Sequence, residues 1–240
     1  MPTKLVILDR DGVINFDSAQ FIKNPDEWKP IPGSLEAIAR LKQNGYRIVV
    51  ATNQSGVGRG LFDMDTLNQI HAKMHKAVVA VGGQIDAIFY CPHAADSKCD
   101  CRKPKPGMFK RISETLNIDL TGVPAIGDSL RDLQASAVLG CQPVLVMSGK
   151  GEKTKAEGNL PEGTLEFADL AGAVDNEFVA AKLGQAHRAA GVQLLGADRH
   201  FRAEAELAAV GEARGGVHID RGRVHFIDKA VGVTQGAGQD

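Results

Sequence analysis

The stretch that decides the fold is Lys4-Leu5-Val6-Ile7-Leu8-Asp9-Arg10-Asp11-Gly12-Val13. Four consecutive apolar residues between Lys4 and Asp9 are typical of a β-strand that is buried on both faces. Two carboxylates follow with one residue between them, and Gly12 allows the backbone to turn tightly. Close carboxylates repel each other unless a cation lies between them, and a hard divalent ion is the usual one. Taken alone, the pattern fits a metal site and a plain polar turn about equally well.

The overall composition bounds the class of protein. The 240 residues are 43% hydrophobic and 24% charged, and the formal net charge is −1. These values are ordinary for a globular protein and give no reason to expect a nucleic-acid or membrane partner. No apolar run is long enough to cross a bilayer, and no signal-peptide pattern precedes the first strand. We therefore expect a cytoplasmic monomer that acts on a small molecule.

Strand and helix patterns alternate after an irregular loop at residues 14–32. Further strands are predicted at 47–51, 85–90, 123–126 and 143–147, the last of these being the final strand of the sheet. Helices are predicted from Ser34 (as N-cap) to about 44, from 63 or 65 to the glycines at 82–83, from Pro106, and after Gly127-Asp128 as far as Gly140. This alternation predicts an α/β fold, a doubly wound parallel sheet with right-handed crossovers and helices on both faces.

Polar side chains stand at the carboxyl ends of three predicted strands. They are Asp9, Thr52 and Asp128. In open parallel sheets the ligand lies beyond the carboxyl ends of the strands, so these groups should converge on one site. Thr52-Asn53 taken alone would be interpreted as an ordinary strand-ending turn, and only the convergence favours a functional role.

Phosphoryl transfer fits these groups. A carboxylate such as Asp9 can attack phosphorus and carry the phosphoryl group as an aspartyl phosphate. Asp11, two residues on, can donate a proton to the leaving oxygen and later activate water. Thr52 offers a hydroxyl, and the turn at 53–56 offers backbone N–H groups to phosphate oxygens.

Two kinds of positive charge would serve this chemistry. Mg²⁺ needs few carboxylates, so Asp9 and Asp128 with one backbone carbonyl would be enough to hold it. A buried lysine, either Lys103 or Lys105, could supply a fixed charge beside the transferred group.

Four residues within one short segment form a second candidate metal site. Cys91, His93, Cys99 and Cys101 are a Cys₃His set that can close a tetrahedral zinc site with no open position, which makes it structural. A disulfide or free thiols is the alternative, and reducing cytosolic conditions weaken it. The zinc ion would fix a loop immediately before Arg102 and Lys103.

The motifs, in their order, resemble those of the haloacid dehalogenase phosphatase superfamily over roughly residues 3–150. They are Asp9-x-Asp11-Gly12, Thr52-Asn53, the lysine of Arg102-Lys103-Pro104-Lys105-Pro106, and Gly127-Asp128-x-x-x-Asp132. The cysteine segment is similar to the zinc-loop branch of that superfamily, which includes heptose 1,7-bisphosphate phosphatases and histidinol-phosphate phosphatases. The resemblance implies a Rossmann-like domain with a short zinc-binding loop and no large cap domain.

The resemblance also implies a role for each motif. Asp9 would be the nucleophile and Asp11 the acid and base. Thr52 and Lys103 would steady the phosphoryl group. The Mg²⁺ ligands would be Asp9, the backbone of Asp11 and Asp128, with Asp132 a partner of the site rather than a ligand.

The substrate is less sharply specified. Residues 9–15 and 53–60 resemble the heptose enzymes, whereas the five-residue gap between His93 and Cys99 matches the histidinol branch. We expect hydrolysis of the 7-phosphate of a heptose 1,7-bisphosphate, in the supply of nucleotide-activated heptose for the cell envelope. Histidinol phosphate, and a catalytically inactive interaction protein on the same fold, remain alternatives. The expected substrate-binding residues are Asp17, Gln20, Asn53, Gln54, Ser55 and Arg102.

The character of the sequence changes near its end. Ten of the 27 glycines lie in residues 181–240, and apolar periodicity there is weak. A helix at 203–210 and a hairpin at 217–227 are conceivable, but a segment that buries little apolar surface cannot offset the entropy of ordering it. We therefore expect a phosphatase domain at residues 1–178 and a loosely packed extension at 179–240.

Overall fold

The computed structural model describes residues 4–175. The expected extension at 179–240, with its possible helix and hairpin, lies outside these residues. Among the residues described, no helix is both long enough and apolar enough to cross a membrane.

The described residues form one six-stranded sheet in which every neighbouring pair of strands is parallel, as the sequence predicted. The strand order is β3-β2-β1-β4-β5-β6. The strands are β1 (Leu5–Leu8), β2 (Arg47–Asn53), β3 (Ala87–Cys91), β4 (Pro124–Gly127), β5 (Gln142–Val146) and β6 (Leu165–Phe167).

Residues 4–175 contain seven α-helices and one short 3₁₀ helix, and all of them except the last α-helix lie between strands. The 3₁₀ helix, Pro25–Glu27, lies within the loop that follows β1. The α-helices are α1 (Ser34–Gln43), α2 (Ser55–Gly58), α3 (Met64–Ala80), α4 (Gly107–Leu116), α5 (Leu130–Ala137), α6 (Gly151–Glu157) and α7 (Leu170–Ala173).

The first strand separates two hydrophobic cores, because successive side chains of a strand point to opposite faces of the sheet. Val6 and Leu8 pack in a core with residues of α1, α3 and α7. Leu5 and Ile7 pack in the other core with residues of α4. Helices therefore cover both faces, which explains why the β1 sequence is apolar without alternation.

The order of the strands places the ligand crevice next to β1. The chain runs outward from β1 to β2 and β3, then crosses back to β4 on the other side of β1. In sheets of this kind the crevice opens at the carboxyl ends of the two strands where the order reverses. Asp9 follows β1 and Asp128 follows β4, so both carboxylates lie at this point.

Most of the predicted element ends lie within two residues of the observed ones. Asp63 is the N-cap of α3, and its carboxylate accepts a hydrogen bond from the backbone N–H of Thr66. The prediction of Ser34 as the N-cap of α1 is wrong. Gly33 holds that position with φ of 80°, while the buried Ser34 hydroxyl donates to the carbonyl of Ile14 at 2.7 Å. Strand β2 is also longer than predicted, because Thr52 and Asn53 pair with β3.

The prediction that the fifth strand ends the sheet is wrong. Strand β6 adds to β5 in parallel, and α7 then packs against α1. Leu170 of α7 is fully buried, and Arg40 of α1 forms an ion pair with Asp175 at 2.9 Å. A three-residue strand and a four-residue helix are too short to show a periodicity in the sequence, so the segment gave no signal.

Leu170→Ala should therefore lower the free energy of unfolding by about 2–5 kcal/mol, the usual range for emptying a buried leucine site. Leu61→Ala is the matched control, since Leu61 is 46% exposed, and it should change stability by no more than about 0.5 kcal/mol. Urea unfolding monitored by circular dichroism measures both. Equal effects would show that the segment after β5 adds nothing to the core.

Candidate active site

A cavity of about 290 Å³ opens at the carboxyl ends of β1, β2 and β4. Ten of the eleven residues that the sequence predicted for catalysis, substrate or Mg²⁺ binding line it, together with residues that were not predicted. The predicted residues in its wall are Asp9, Asp11, Asp17, Thr52, Asn53, Gln54, Ser55, Arg102, Lys103 and Asp128. The eleventh, Gln20, lines a neighbouring cavity instead.

Lys103 lies at the base of the cavity and is almost completely buried. Its ammonium is 3.1 Å from Asp9 Oδ1 and 2.7 Å from Asp132 Oδ1, and it donates to the carbonyl of Ala51 at 2.7 Å. Three oxygen atoms therefore lie within about 3 Å of the ammonium group. Burial disfavours the charged form, but the Asp132 and Asp9 carboxylates outweigh it and raise the pKa of Lys103. Lys103 is therefore a fixed positive charge beside Asp9.

Of the two lysines that the sequence left open, Lys103 is the one in the site. Lys105 is exposed and donates to the carbonyl of Cys99 at 2.6 Å. Asn53 holds the Lys103 backbone from both sides, because its side-chain nitrogen donates to Lys103 O and its oxygen accepts from Lys103 N, each at 3.1 Å. The amide of Asn53 thus orients the lysine.

The carboxylates of Asp9, Asp128 and Asp132 lie close enough to share a cation, with one oxygen of each within 4.8 Å of the others. Burial raises the pKa of Asp9 to about 6, against the pull of Lys103. Burial, followed by the charges of Asp132 and Asp9, raises the pKa of Asp128 to about 8. Such mutual repulsion is what a bound divalent cation relieves.

Two glycine backbones form a close cradle around Asp128. A Cβ atom at Gly12 would lie 2.1 Å from Asp128 Oδ2, and one at Gly149 would lie 2.2 Å from it. Both glycines have positive φ values, and the backbone N–H of Lys150 donates to the same oxygen at 2.8 Å. The residues after β5 were not predicted to belong to the site, although they stand at a carboxyl end of the sheet, which was the available signal.

The side chain of Asp11 faces hydrogen-bond donors of the protein. It is not one of the three carboxylates, Asp9, Asp128 and Asp132, that lie close together. Arg10 contacts both its oxygens, at 3.1 and 2.9 Å, while Asn15 donates to Oδ1 at 2.8 Å and Gln54 to Oδ2 at 3.0 Å. Burial alone would raise the pKa of Asp11, but the Arg10 guanidinium and these hydrogen bonds together lower it. Gln54 also donates to Thr52 Oγ1 at 2.9 Å.

The loop after β1 forms one wall of the cavity. Asp17, predicted to bind substrate, forms an ion pair with Lys150 across the opening. Phe21 lines the cavity with φ of 66°, an uncommon value for a bulky residue, and the Arg59 guanidinium lies 5.4 Å from its ring centre. The sequence analysis did not predict Lys150 and Phe21 as cavity residues, because no local sequence pattern connects them with the strand ends.

The four predicted zinc ligands converge beside the cavity, with their ligand atoms within 4.8 Å of one another. The Sγ atoms of Cys91 and Cys99 are 3.8 Å apart, so they are not bonded to each other, and all the cysteines among the residues described are free. A tetrahedral ion with Zn–S bonds of about 2.3 Å requires sulfurs about 3.8 Å apart. The set therefore fits zinc. Arg102 follows the cluster and donates to His93 O at 3.4 Å.

Comparison with known proteins agrees with this geometry. The model of the haloacid dehalogenase-like hydrolase family matches residues 3–140. The D-glycero-beta-D-manno-heptose-1,7-bisphosphate 7-phosphatase of Bordetella bronchiseptica is 61% identical over 168 residues, which are 70% of this chain and 94% of that protein. The enzyme of the same name from Pseudomonas aeruginosa is 54% identical over 171 residues, 71% of this chain and 96% of that protein.

A solved structure extends the likeness to three dimensions. The D,D-heptose 1,7-bisphosphate phosphatase of B. bronchiseptica, crystallised with magnesium and phosphate, has a TM-score of 0.73 and 58% sequence identity. The match covers 74% of this chain and 99% of that one. The chain therefore belongs to the haloacid dehalogenase-like hydrolase family, and it is a phosphoric monoester hydrolase.

Proposed function

We propose that the chain removes the 7-phosphate of D-glycero-D-manno-heptose 1,7-bisphosphate, through an aspartyl phosphate on Asp9, in the synthesis of nucleotide-activated heptose for lipopolysaccharide. The observation that carries this proposal is the buried contact of Asp9 with Lys103 at the end of β1, inside a cavity that Thr52 and Asp128 also line. The names and high identity of the relatives support the choice of substrate.

The chemistry proceeds in two steps. In the first, an Asp9 oxygen bonds to phosphorus as the bond to the sugar oxygen breaks, and Asp11 gives that oxygen a proton. In the second, Asp11 takes a proton from water, the water oxygen bonds to phosphorus, and the Asp9 carboxylate leaves. Lys103 and the Thr52 hydroxyl offer hydrogen bonds to the phosphoryl oxygens while their negative charge is greatest.

Mg²⁺ is the expected cofactor, held by carboxylate oxygens of Asp9 and Asp128 and by the backbone carbonyl of Asp11. The raised pKa values of the two carboxylates and the close glycine cradle around Asp128 support this ligand set. When bound, Mg²⁺ supplies charge neutralisation to the phosphoryl group. Asp132 forms an ion pair with Lys103 and accepts a hydrogen bond from Ser129, the N-cap residue of α5. We therefore assign Asp132 a supporting role next to the Mg²⁺ ligands and do not count it among them.

The cavity rim suits a phosphorylated sugar. Asp17, Gln54 and Ser55 offer hydrogen-bonding groups to hydroxyls, and Arg102 offers positive charge to a second phosphate. Gln20, outside this cavity, is the weakest of the proposed contacts. The backbone N–H of Gln54 donates to Cys91 O at 2.8 Å, so that N–H is engaged already.

Histidinol phosphate is the second candidate, favoured by the five-residue gap between His93 and Cys99. An inactive interaction protein is disfavoured, because the full set of Asp9, Asp11, Lys103 and Asp128 meets at one cavity. We also propose that the enzyme is cytoplasmic and monomeric, and that its catalytic unit is residues 1–178.

The substrate and the nucleophile are tested together. Phosphate release should be fastest with the heptose 1,7-bisphosphate in a panel that includes histidinol phosphate and other sugar bisphosphates. Asp9→Asn should abolish turnover, and Asp11→Asn should slow it about a hundredfold or more. Asp65→Asn, at an exposed position in α3, is the control and should match wild type. Turnover by pure Asp9→Asn protein near the wild-type rate would refute the mechanism.

Magnesium binding should release a proton near neutral pH. With a pKa of about 8, Asp128 is protonated in most metal-free molecules at pH 7, and only its ionised form binds the cation. We expect release of up to one proton per Mg²⁺ near pH 7, and affinity that rises with pH through the neutral range and levels above about pH 8. Calorimetry in buffers of different ionisation enthalpy measures the release.

The control for magnesium is Asp128→Asn, which should bind Mg²⁺ weakly and without this pH dependence. A wild-type binding enthalpy that is the same in every buffer would contradict the ligand role of Asp128.

Zinc should be present at one ion per chain by elemental analysis. Cys99→Ser should lose the ion and raise KM for the sugar bisphosphate, because Arg102 follows the cluster directly. Cys141→Ala is the matched control, since Cys141 lies in the core away from the cluster, and it should keep its zinc. Metal-free protein with full activity would show that the cluster has no role.

A further inference from the structure

Arg10 lies directly behind the cavity and does not line it. Its side chain is 1% exposed, yet it carries a full positive charge. The guanidinium contacts both oxygens of Asp11, donates to Gln54 Oε1 at 3.0 Å, and lies 3.3 Å from His71 Nε2. A buried charge is unfavourable unless its partners are placed accurately, so these four contacts define where the guanidinium sits.

His71 anchors this guanidinium to helix α3. Arginine can only donate hydrogen bonds, so Nε2 of His71 must accept, and the imidazole is neutral with its proton on Nδ1. His71 is fully buried, and burial followed by the Arg10 charge lowers its pKa to about 3. The imidazole therefore remains an acceptor for Arg10 throughout the working pH range.

A second chain of hydrogen bonds holds Asp11 from the opposite direction. Asn15 donates to Asp11 Oδ1 at 2.8 Å, and the indole N–H of Trp28 donates to Asn15 Oδ1 at 2.9 Å. Asn15 and Trp28 are both buried. The Gln54 amide is the one donor to Asp11 that also lines the cavity, so it is the contact that a substrate oxygen can replace.

We propose that Arg10 and His71 are positioning residues, which fix the direction in which the Asp11 carboxylate meets the leaving oxygen of the substrate. The inference rests on the proposed role of Asp11 as the acid of the reaction. Arg10 forms a two-pronged contact with the carboxylate, and His71 prevents the guanidinium from rotating away. Neither residue touches the substrate.

The test compares two leaving groups. A sugar alkoxide needs a proton from Asp11, whereas p-nitrophenolate leaves without one, and kcat/KM reports the step in which either departs. His71→Leu should lower kcat/KM about ten- to a hundredfold for the sugar bisphosphate, the range seen when an outer partner of a functional group is removed. For p-nitrophenyl phosphate it should change by less than about twofold.

Two further variants make the result specific. His71→Gln keeps an acceptor for Arg10 and should recover most of the lost kcat/KM. Arg10→Lys keeps the charge but cannot contact both oxygens of Asp11, so it should show the same selective loss, and it decides the question if His71→Leu does not fold. Met74→Leu, a buried change on the same helix, should affect neither substrate.

A double-mutant cycle separates positioning from a general structural effect. In the Asp11→Asn background, His71→Leu should cause no further loss with the sugar substrate, because the group it positions is gone. Equal losses on both substrates, or a full loss that persists in that background, would overturn the inference. The comparison needs only one alkyl phosphate and one aryl phosphate that the enzyme hydrolyses. The positioning role can therefore be tested even if the heptose bisphosphate proves not to be the substrate.

Discussion

The site depends on one buried ammonium group. Lys103 lies between the carboxylates of Asp9 and Asp132, and it donates a hydrogen bond to the carbonyl of Ala51. Its positive charge favours an ionised Asp9 in a place where burial opposes ionisation. The same contacts connect the end of β1 with α5 and with the segment before α4. The same interaction therefore supplies the positive charge for catalysis and joins three segments of the chain.

The remaining charges of the site are arranged in two separate groups. Asp9, Asp128 and Asp132 each have a carboxylate oxygen within 4.8 Å of the others, and their mutual repulsion suits a nearby cation. Asp11, two residues from Asp9, is turned instead towards Arg10 and Asn15. The two neighbouring carboxylates thereby acquire opposite pKa shifts, upward for Asp9 through burial and downward for Asp11 through Arg10 and its hydrogen bonds.

A feature of this fold or site could be predicted where a local sequence pattern marks it, and not where the feature joins distant residues. The parallel sheet and the meeting of Asp9, Thr52 and Asp128 could be predicted, because apolar runs mark strands and strand ends meet at one edge. The position of His71 was hidden, since a histidine on the buried stripe of α3 has the same spacing as a core residue. The pairing of Lys150 with Asp17 joins distant residues and leaves no local pattern, and β6 is too short to be periodic.

The central claim is that Asp9 carries the phosphoryl group. Wild-type protein mixed with excess substrate and quenched in acid within one turnover can be digested and analysed by mass spectrometry. The account predicts one added phosphoryl group on the peptide that contains Asp9. A phosphorylated peptide from elsewhere in the chain, or turnover with no phosphorylated protein at any quench time, would contradict it.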